Sequence, residues 1–226
     1  MKVDMMVLGG CQMEFMYKYL AIAIIISFIP YVRSFFGTIH TLIHETGHAL
    51  AALATSGKVY SISLYSTTDG IATTGSRSRF SSIIVAYAGY TFSSLFALLA
   101  FYLIANGHVL ILFYLFFALA LINLLLWVRN AFGLGWLLGY VIASAFLIYY
   151  QLSFIKEMIT YLLSSIILIQ SMISSFIICF LSLSSTNQSN DANVLQKLTF
   201  IPSFVWGAVF LIQSFAATYY VILFFI

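Results

Sequence analysis

Four stretches of this chain contain no Asp, Glu, Lys or Arg at all: residues 80–128, 130–155, 158–190 and 198–226. Each is long enough to hold the ~20 apolar residues that cross a bilayer core. Charged residues make up only 7% of the chain, against ~25% in soluble domains, so an ordinary soluble globule is excluded. An aromatic share of 18% and only two prolines exclude disordered and collagen-like chains. The chain reads as a polytopic membrane protein with the lipid bilayer as its medium. Its net charge of +3 comes from scattered basic residues. Such residues are expected at the ends of spans and give no sign of a nucleic-acid partner.

Seven apolar segments are expected, at 19–35, 38–55, 80–105, 109–128, 132–150, 158–182 and 203–225, in a single transmembrane domain over 1–226. Backbone in lipid must satisfy its own hydrogen bonds, so these should be helices. They lack the alternation of a membrane barrel. No cleaved signal peptide is expected, because no small-residue cleavage pattern follows the first apolar run. Two longer gaps interrupt the helices. In the first, Val59-Tyr60-Ser61-Ile62-Ser63-Leu64-Tyr65 alternates with period two and Thr67-Thr68-Asp69-Gly70 signals a turn. A small β-hairpin over 58–75 is predicted at the membrane surface. The second, 184–201, reads as a polar loop, with Asp191 as N-cap of a short helix over 192–197. The expected class is therefore an all-α polytopic membrane protein of about seven apolar helices with a small membrane-associated β segment.

If all seven segments cross, Lys2, Lys18, Lys58, Arg77, Arg79, Arg129 and Lys197 share one side, and Arg33 and Lys156 the other. The positive-inside tendency then sets the N-terminus inside, and the β segment, Asn130 and Asp191 on the same inner side. Cys11 and Cys179 lie far apart, and Cys179 sits in an apolar run, so neither is expected to pair or to ligate.

One constellation carries chemistry. His44-Glu45-Thr46-Gly47-His48 fits the pattern H-E-x-x-H. On a helix, positions i and i+4 share a face, so both imidazoles can reach one metal. The neighbouring glutamate can act as general base toward water. Zn²⁺ suits such a site, which needs a third protein ligand and an open position. Ionisable groups inside an apolar segment are expensive and point to function. A merely structural helix contact would not explain the metal-site spacing. His40 shares the face but lies ~12 Å along the axis from His48, too far for the same metal. It reads as a neighbouring polar contact, with a substrate or proton-relay role as the alternative.

The run from Leu42 to Leu53, followed by Ser56-Gly57-Lys58-Val59, resembles the site-2 protease group of intramembrane zinc metallopeptidases, in particular its small peptidase M50B-like branch. Ala86-Tyr87-Ala88-Gly89-Tyr90, Arg129-Asn130-Ala131-Phe132-Gly133 and Asp191-Ala192 with the later Thr199-Phe200-Ile201-Pro202 extend the resemblance over roughly 38–210. The resemblance implies a zinc helix followed by a membrane-associated β segment, and a peptide substrate that spans the membrane. The chain departs from the better-studied members in having no late Leu-Asp-Gly motif to supply the third ligand. After His48 its only carboxylates are Asp69, Glu157 and Asp191. Glu157 falls on the outer side, and Asp69, at the hairpin turn, is expected to be far from the zinc helix. Asp191 matches the branch's Asp-Ala pattern and is the expected third ligand. A plain N-cap is its alternative, and Asn130 is held in reserve.

The leading reading is a zinc-dependent intramembrane metalloprotease with His44, His48 and Asp191 on the metal and Glu45 as catalytic base. Its expected home is the plasma membrane of a bacterium, and its oligomeric state is open. Two rivals are a non-catalytic binder or chaperone of membrane helices that keeps the motif, and a transporter that uses the His/Glu face as an ion path.

Overall fold

A computed structural model of the protein describes residues 16–183 and 190–226. The chain runs α1 (Met16–Phe28), α2 (Pro30–Ala54), β1 (Lys58–Leu64), β2 (Gly70–Gly75), α3 (Arg79–Ala105), α4 (Val109–Leu126), α5 (Ala131–Tyr149), α6 (Ser153–Leu183), α7 (Asp191–Thr199) and α8 (Ser203–Phe224). Of the polar loop expected over 184–201, residues 184–189 lie outside the described residues, as does Cys11, and the rest carries a short helix. Cys179 is a free thiol.

Among the described residues, five helices (α3, α4, α5, α6 and α8) are long and apolar enough to cross a membrane, or six spans if the bent pair α1–α2 counts as one. All seven expected apolar segments are helical. Large apolar side chains such as Leu125, Ile142, Phe176 and Phe180 point outward, while Thr38, Glu45, Thr46, His48, Asn123 and Ser165 are buried. An apolar outer surface with polar groups buried inside the bundle is what a hydrocarbon solvent selects.

The first two segments divide at a different place from the one expected. The break falls at Ile29–Pro30, with a bend of 116°, and not at Gly37. Pro30 has no N–H to donate, and its ring pushes the preceding residue into extended backbone; Ile29 has φ −92° and ψ 111°. Gly37 continues α2, and a side chain there would press on Thr68 at the hairpin turn, 3.0 Å from its Cγ2.

α2 is the centre of the molecule. It packs on α3, on α6 and on both strands. The hairpin forms as the alternation predicts, with Lys58 opposite Gly75 and Leu64 opposite Gly70, and an irregularity between Val59 and Ser61. Ser56 in the left-handed region ends α2, and Gly57 N–H caps Ala52 O at 2.8 Å, so the strand folds back along its own helix. The hairpin turn is tied down by Thr41 Oγ1 donating to Thr68 O at 2.7 Å and by the Ser34 hydroxyl donating to Ser66 O. The outer side of β1 is covered by the α4–α5 connection: Ile62 N–H donates to Trp127 O at 2.8 Å and Arg129 N–H to Ile62 O at 3.3 Å. The outer side of β2 faces a cavity.

Candidate metal centre

His44 and His48 stand one turn apart on α2, and the group is closed by a residue 147 positions away. The three ligand atoms form a near-equilateral triangle. His44 Nε2 and His48 Nε2 are 3.1 Å apart. Asp191 Oδ2 lies 3.2 Å from the first and 3.4 Å from the second. Around a tetrahedral zinc with bonds of ~2.0–2.1 Å, neighbouring ligand atoms lie roughly 3.3 Å apart. Two imidazole nitrogens and one carboxylate oxygen are also the donor types zinc takes. Among the described residues this is the group of His, Cys, Asp and Glu whose atoms converge closely enough to hold a metal.

Several neighbours fix the group. His48 Nδ1–H donates to Val85 O at 2.6 Å, which settles the tautomer and leaves Nε2 with its lone pair toward the site. His44 lies edge-on to Tyr90, with ring centres 4.7 Å apart, and Tyr90 stacks on Phe210 of α8 at 4.5 Å. Gly89 faces both imidazoles across the α2–α3 contact. A Cβ on it would sit 2.5 Å from each Nε2, so the space that an ion needs exists because residue 89 has no side chain. Thr46, on the opposite face of α2, is gripped by the fully buried Asn123, whose Nδ2 donates to Thr46 Oγ1 at 3.0 Å.

Asp191 is brought in by α7, a short helix outside the spans. It is not the N-cap expected. Asn190 is, its Oδ1 accepting from Asn193 N–H at 2.9 Å. The shift of one residue leaves the Asp191 carboxylate free of capping and turned to the histidines. Burial opposes its charge, but the adjoining imidazoles of His48 and His44 outweigh this and hold the carboxyl below its ordinary range. The buried side of α7, Ala192 and Leu195, packs with Ala86, Ile178 and Phe210 of α3, α6 and α8.

Glu45 is buried, 5% exposed, and opens on the same cavity as the triad. Its Oε1 lies against the α-carbon of Gly70, where a Cβ would come within 2.5 Å. Asp69, expected far away, in fact lines this cavity too, because the hairpin turn lies back along α2. Its carboxylate accepts from Thr67 Oγ1 at 2.7 Å and stands outside the triad. Asn130, the reserve ligand, is committed elsewhere: its Oδ1 accepts from Leu64 N–H at 3.0 Å and its Nδ2 donates to Leu64 O at 2.5 Å. It pins the end of β1. His40 stands beside the group, its ring centre 6.3 Å from that of His44, with its Nε2 buried and without a hydrogen-bond partner. Sequence reasoning missed the steric role of Gly89 and the anchor at Val85 O. The first lay within a stretch quoted only for its resemblance, and the second is a backbone atom with no sequence signal.

The cavity is about 680 Å³ and runs from Asp191 and Val194 of α7, past the triad and Glu45, along β2 to Arg33 and Gln170. A family model for Peptidase M50B-like proteins matches residues 17–221. The chain belongs to that family. No curated protein and no solved structure matches it.

Proposed function

We propose that this membrane protein is a zinc-dependent intramembrane endopeptidase, with His44, His48 and Asp191 as the metal ligands and Glu45 as the general base. The observation that carries the reading is the triangle of 3.1, 3.2 and 3.4 Å beside a buried glutamate on one cavity wall. Zinc held there would supply Lewis-acid polarisation of a scissile carbonyl and make water more acidic. The remaining work falls to the chain. Glu45 takes the proton of the attacking water and hands it to the leaving amine. His48, anchored on Val85 O, and His44, walled by Tyr90, keep their rings fixed through that exchange. The burial of Glu45 under Gly70 keeps bulk solvent from competing for the proton.

The substrate is a membrane-spanning segment of another protein, unwound where it is cut. The cavity-facing side of β2, where Ala72 N–H donates to the Glu45 carboxylate, supports this. Gly70, Ile71, Ala72 and Thr74 line the cavity, while the outer side of β1 is already bonded to the α4–α5 connection, so an extended peptide can add to β2 by strand pairing.

The balance of Lys and Arg supports an inner-side location for the hairpin and Asp191; the plasma membrane of a bacterium is proposed from the size of the chain and the family resemblance. If α1 and α2 cross separately, the hairpin side carries seven basic residues against two and the N-terminus is inside. If the bent pair crosses once, Lys58, Arg77, Arg79, Arg129 and Lys197 still outnumber Lys2, Lys18 and Lys156. A cysteine at Gln151 should label from outside and one at Gly75 should not; the reverse would place the site on the outer side.

Glu45→Gln is the test of the chemistry. It should keep zinc at about one per chain and the fold intact, while turnover of a candidate membrane substrate falls by roughly 10²–10⁴. Cleavage at the wild-type rate would return the motif to a binding role.

A further inference from the structure

The cavity extends well past the triad, and its far end holds a cation with no carboxylate partner among the described residues. Arg33 is the one Lys or Arg on the wall. Its Nε is buried without a hydrogen-bond partner. Gln170 of α6 lies on the same wall, and it is the eighteenth residue of a helix of 31. Gly37, one turn on from Arg33, faces Gln170 there. A buried guanidinium nitrogen without a partner is costly and points to a ligand. The wall's three carboxylates leave Arg33 unpaired: Asp191 is in the triad, Glu45 is beside Gly70, and Asp69 is held by Thr67.

A second unsatisfied group stands between Arg33 and the triad. His40 is 7% exposed, lines the cavity, and its Nε2 has no partner. Its ring centre is 6.3 Å from that of His44. Arg33, Gly37, His40 and His44 follow one stripe of α2 and all four line the cavity, with Thr68 of the hairpin turn standing over Gly37. Arg33 precedes His44 by eleven residues, or ~16 Å along the axis. An extended peptide covers that distance in about five residues at ~3.3 Å each.

We propose that the Arg33 end of the cavity is a substrate subsite that takes a carboxylate side chain about five residues from the bond that is cut, with His40 Nε2 meeting the peptide backbone in between. The proposal rests on the protease reading for the words "bond that is cut". The binding itself requires only that the cavity receive an extended peptide.

The test uses the full chain loaded with zinc and carrying Glu45→Gln, in bilayer discs of zwitterionic lipid, so that binding is read without turnover. The probe is a fluorescent synthetic membrane peptide of about 20 residues. It has a Gly-Pro pair at its centre and Asp, Asn or Lys placed four to six residues to either side. At one position, the Asp peptide should bind about tenfold more tightly than its Asn counterpart, the increment of a charge-assisted pair. Arg33→Gln should remove that preference, and Arg33→Glu should turn it toward the Lys peptide. Zinc content and thermal unfolding are measured on each variant; Arg33→Lys, the mildest change, stands in if Arg33→Glu fails to fold, and should keep a reduced preference for Asp. Equal binding of Asp and Asn peptides at every position overturns the proposal. So does a preference that Arg33→Gln leaves untouched. In a parallel set of discs containing anionic lipid, an Arg33-dependent gain in lipid association with no peptide preference would overturn it and assign the guanidinium to a lipid phosphate. A peptide that binds with the expected preference yet is never cleaved by the wild type would defeat the protease reading and leave the subsite standing.

Discussion

The three groups of the candidate metal centre reach it by two different routes. His44 and His48 are brought together by the period of a single helix, one turn apart on a face that α3 covers. Asp191 arrives from α7, 147 residues further on, and its place depends on the packing of α3, α6 and α8 around Ala192 and Leu195. The first route is local and stiff, because any helix through residues 44–48 places the two rings side by side. The second is a matter of tertiary contact, and it can fail without disturbing the first. The two should therefore respond differently to substitution.

The largest effect is expected on the local side. His44→Ala or His48→Ala should take zinc from about one per chain to near zero, while membrane insertion and helicity stay as in the wild type. His48→Ala also removes the second hydrogen bond that Val85 O accepts beside its helical one, so it should be the less stable of the two, by about 0.5–1.5 kcal/mol. Equal zinc content in the wild type and both variants would sink the reading of α2 as the metal helix.

Gly89→Ala comes next and tests the space between the two imidazoles. Its methyl would stand 2.5 Å from both Nε2 atoms, in the volume that an ion must enter. Zinc should be lost almost as completely as in the histidine variants, at a cost in stability of about 1–3 kcal/mol from overpacking. A Gly89→Ala protein with full zinc would mean that the ion sits on the other side of the rings, away from α3.

The same contrast decides what was legible in the sequence. The spacing of His44, Glu45 and His48 is a property of one helix, so it survives without knowledge of the fold. The hairpin was legible for a like reason: alternation from Val59 to Tyr65 and a turn at Thr67–Gly70 are local signals. The boundary at Pro30 was misread as Gly37, because glycine in a membrane helix marks close packing as often as an end. Here it makes room for Thr68. The N-cap was misread by one residue, since Asn190 and Asp191 are equally good caps by type and only the imidazoles show which side chain is needed elsewhere. The approach of the hairpin turn to Glu45, the service of Asn130 to β1 and the cavity beside Arg33 are all long-range. No local pattern encodes them.

Asp191→Asn probes the tertiary side directly. The amide keeps shape but loses the charge that zinc favours, and affinity should fall by at least the roughly 10–100-fold that supporting groups of a metal site command. Some zinc should remain at saturating metal, held by the two histidines. Complete loss, equal to that in His44→Ala, would show that the two routes are not separable and that α7 is as much a part of the site as α2.

The smallest effect should come from residues that never touch the metal but hold α7. Its far end is clasped by Arg79 at the start of α3. The Arg79 Nε donates to Leu198 O at 2.6 Å, and its guanidinium lies 4.7 Å over the ring of Phe200, which ends α7 in the left-handed region with φ 63°. A second tie links α7 to α8, with Trp206 Nε1–H donating to Thr199 Oγ1 at 3.1 Å. Arg79→Ala removes a hydrogen bond and a stacking contact at an exposed position, worth about 0.5–1 kcal/mol. That converts to a roughly two- to fivefold loss of zinc affinity if the lost restraint is felt at Asp191. Arg79→Lys should fall between, because an ammonium keeps the charge but not the planar fork. Isothermal titration of the metal-free protein with zinc would resolve the series, and thermal unfolding would serve as the control. The same Arg79→Ala change in an Asp191→Asn background should then cost nothing further, since the carboxylate through which it acts is gone. An Arg79→Ala protein with unchanged zinc affinity but lower thermal stability would show that Asp191 is positioned without the clasp, which then serves the fold rather than the site.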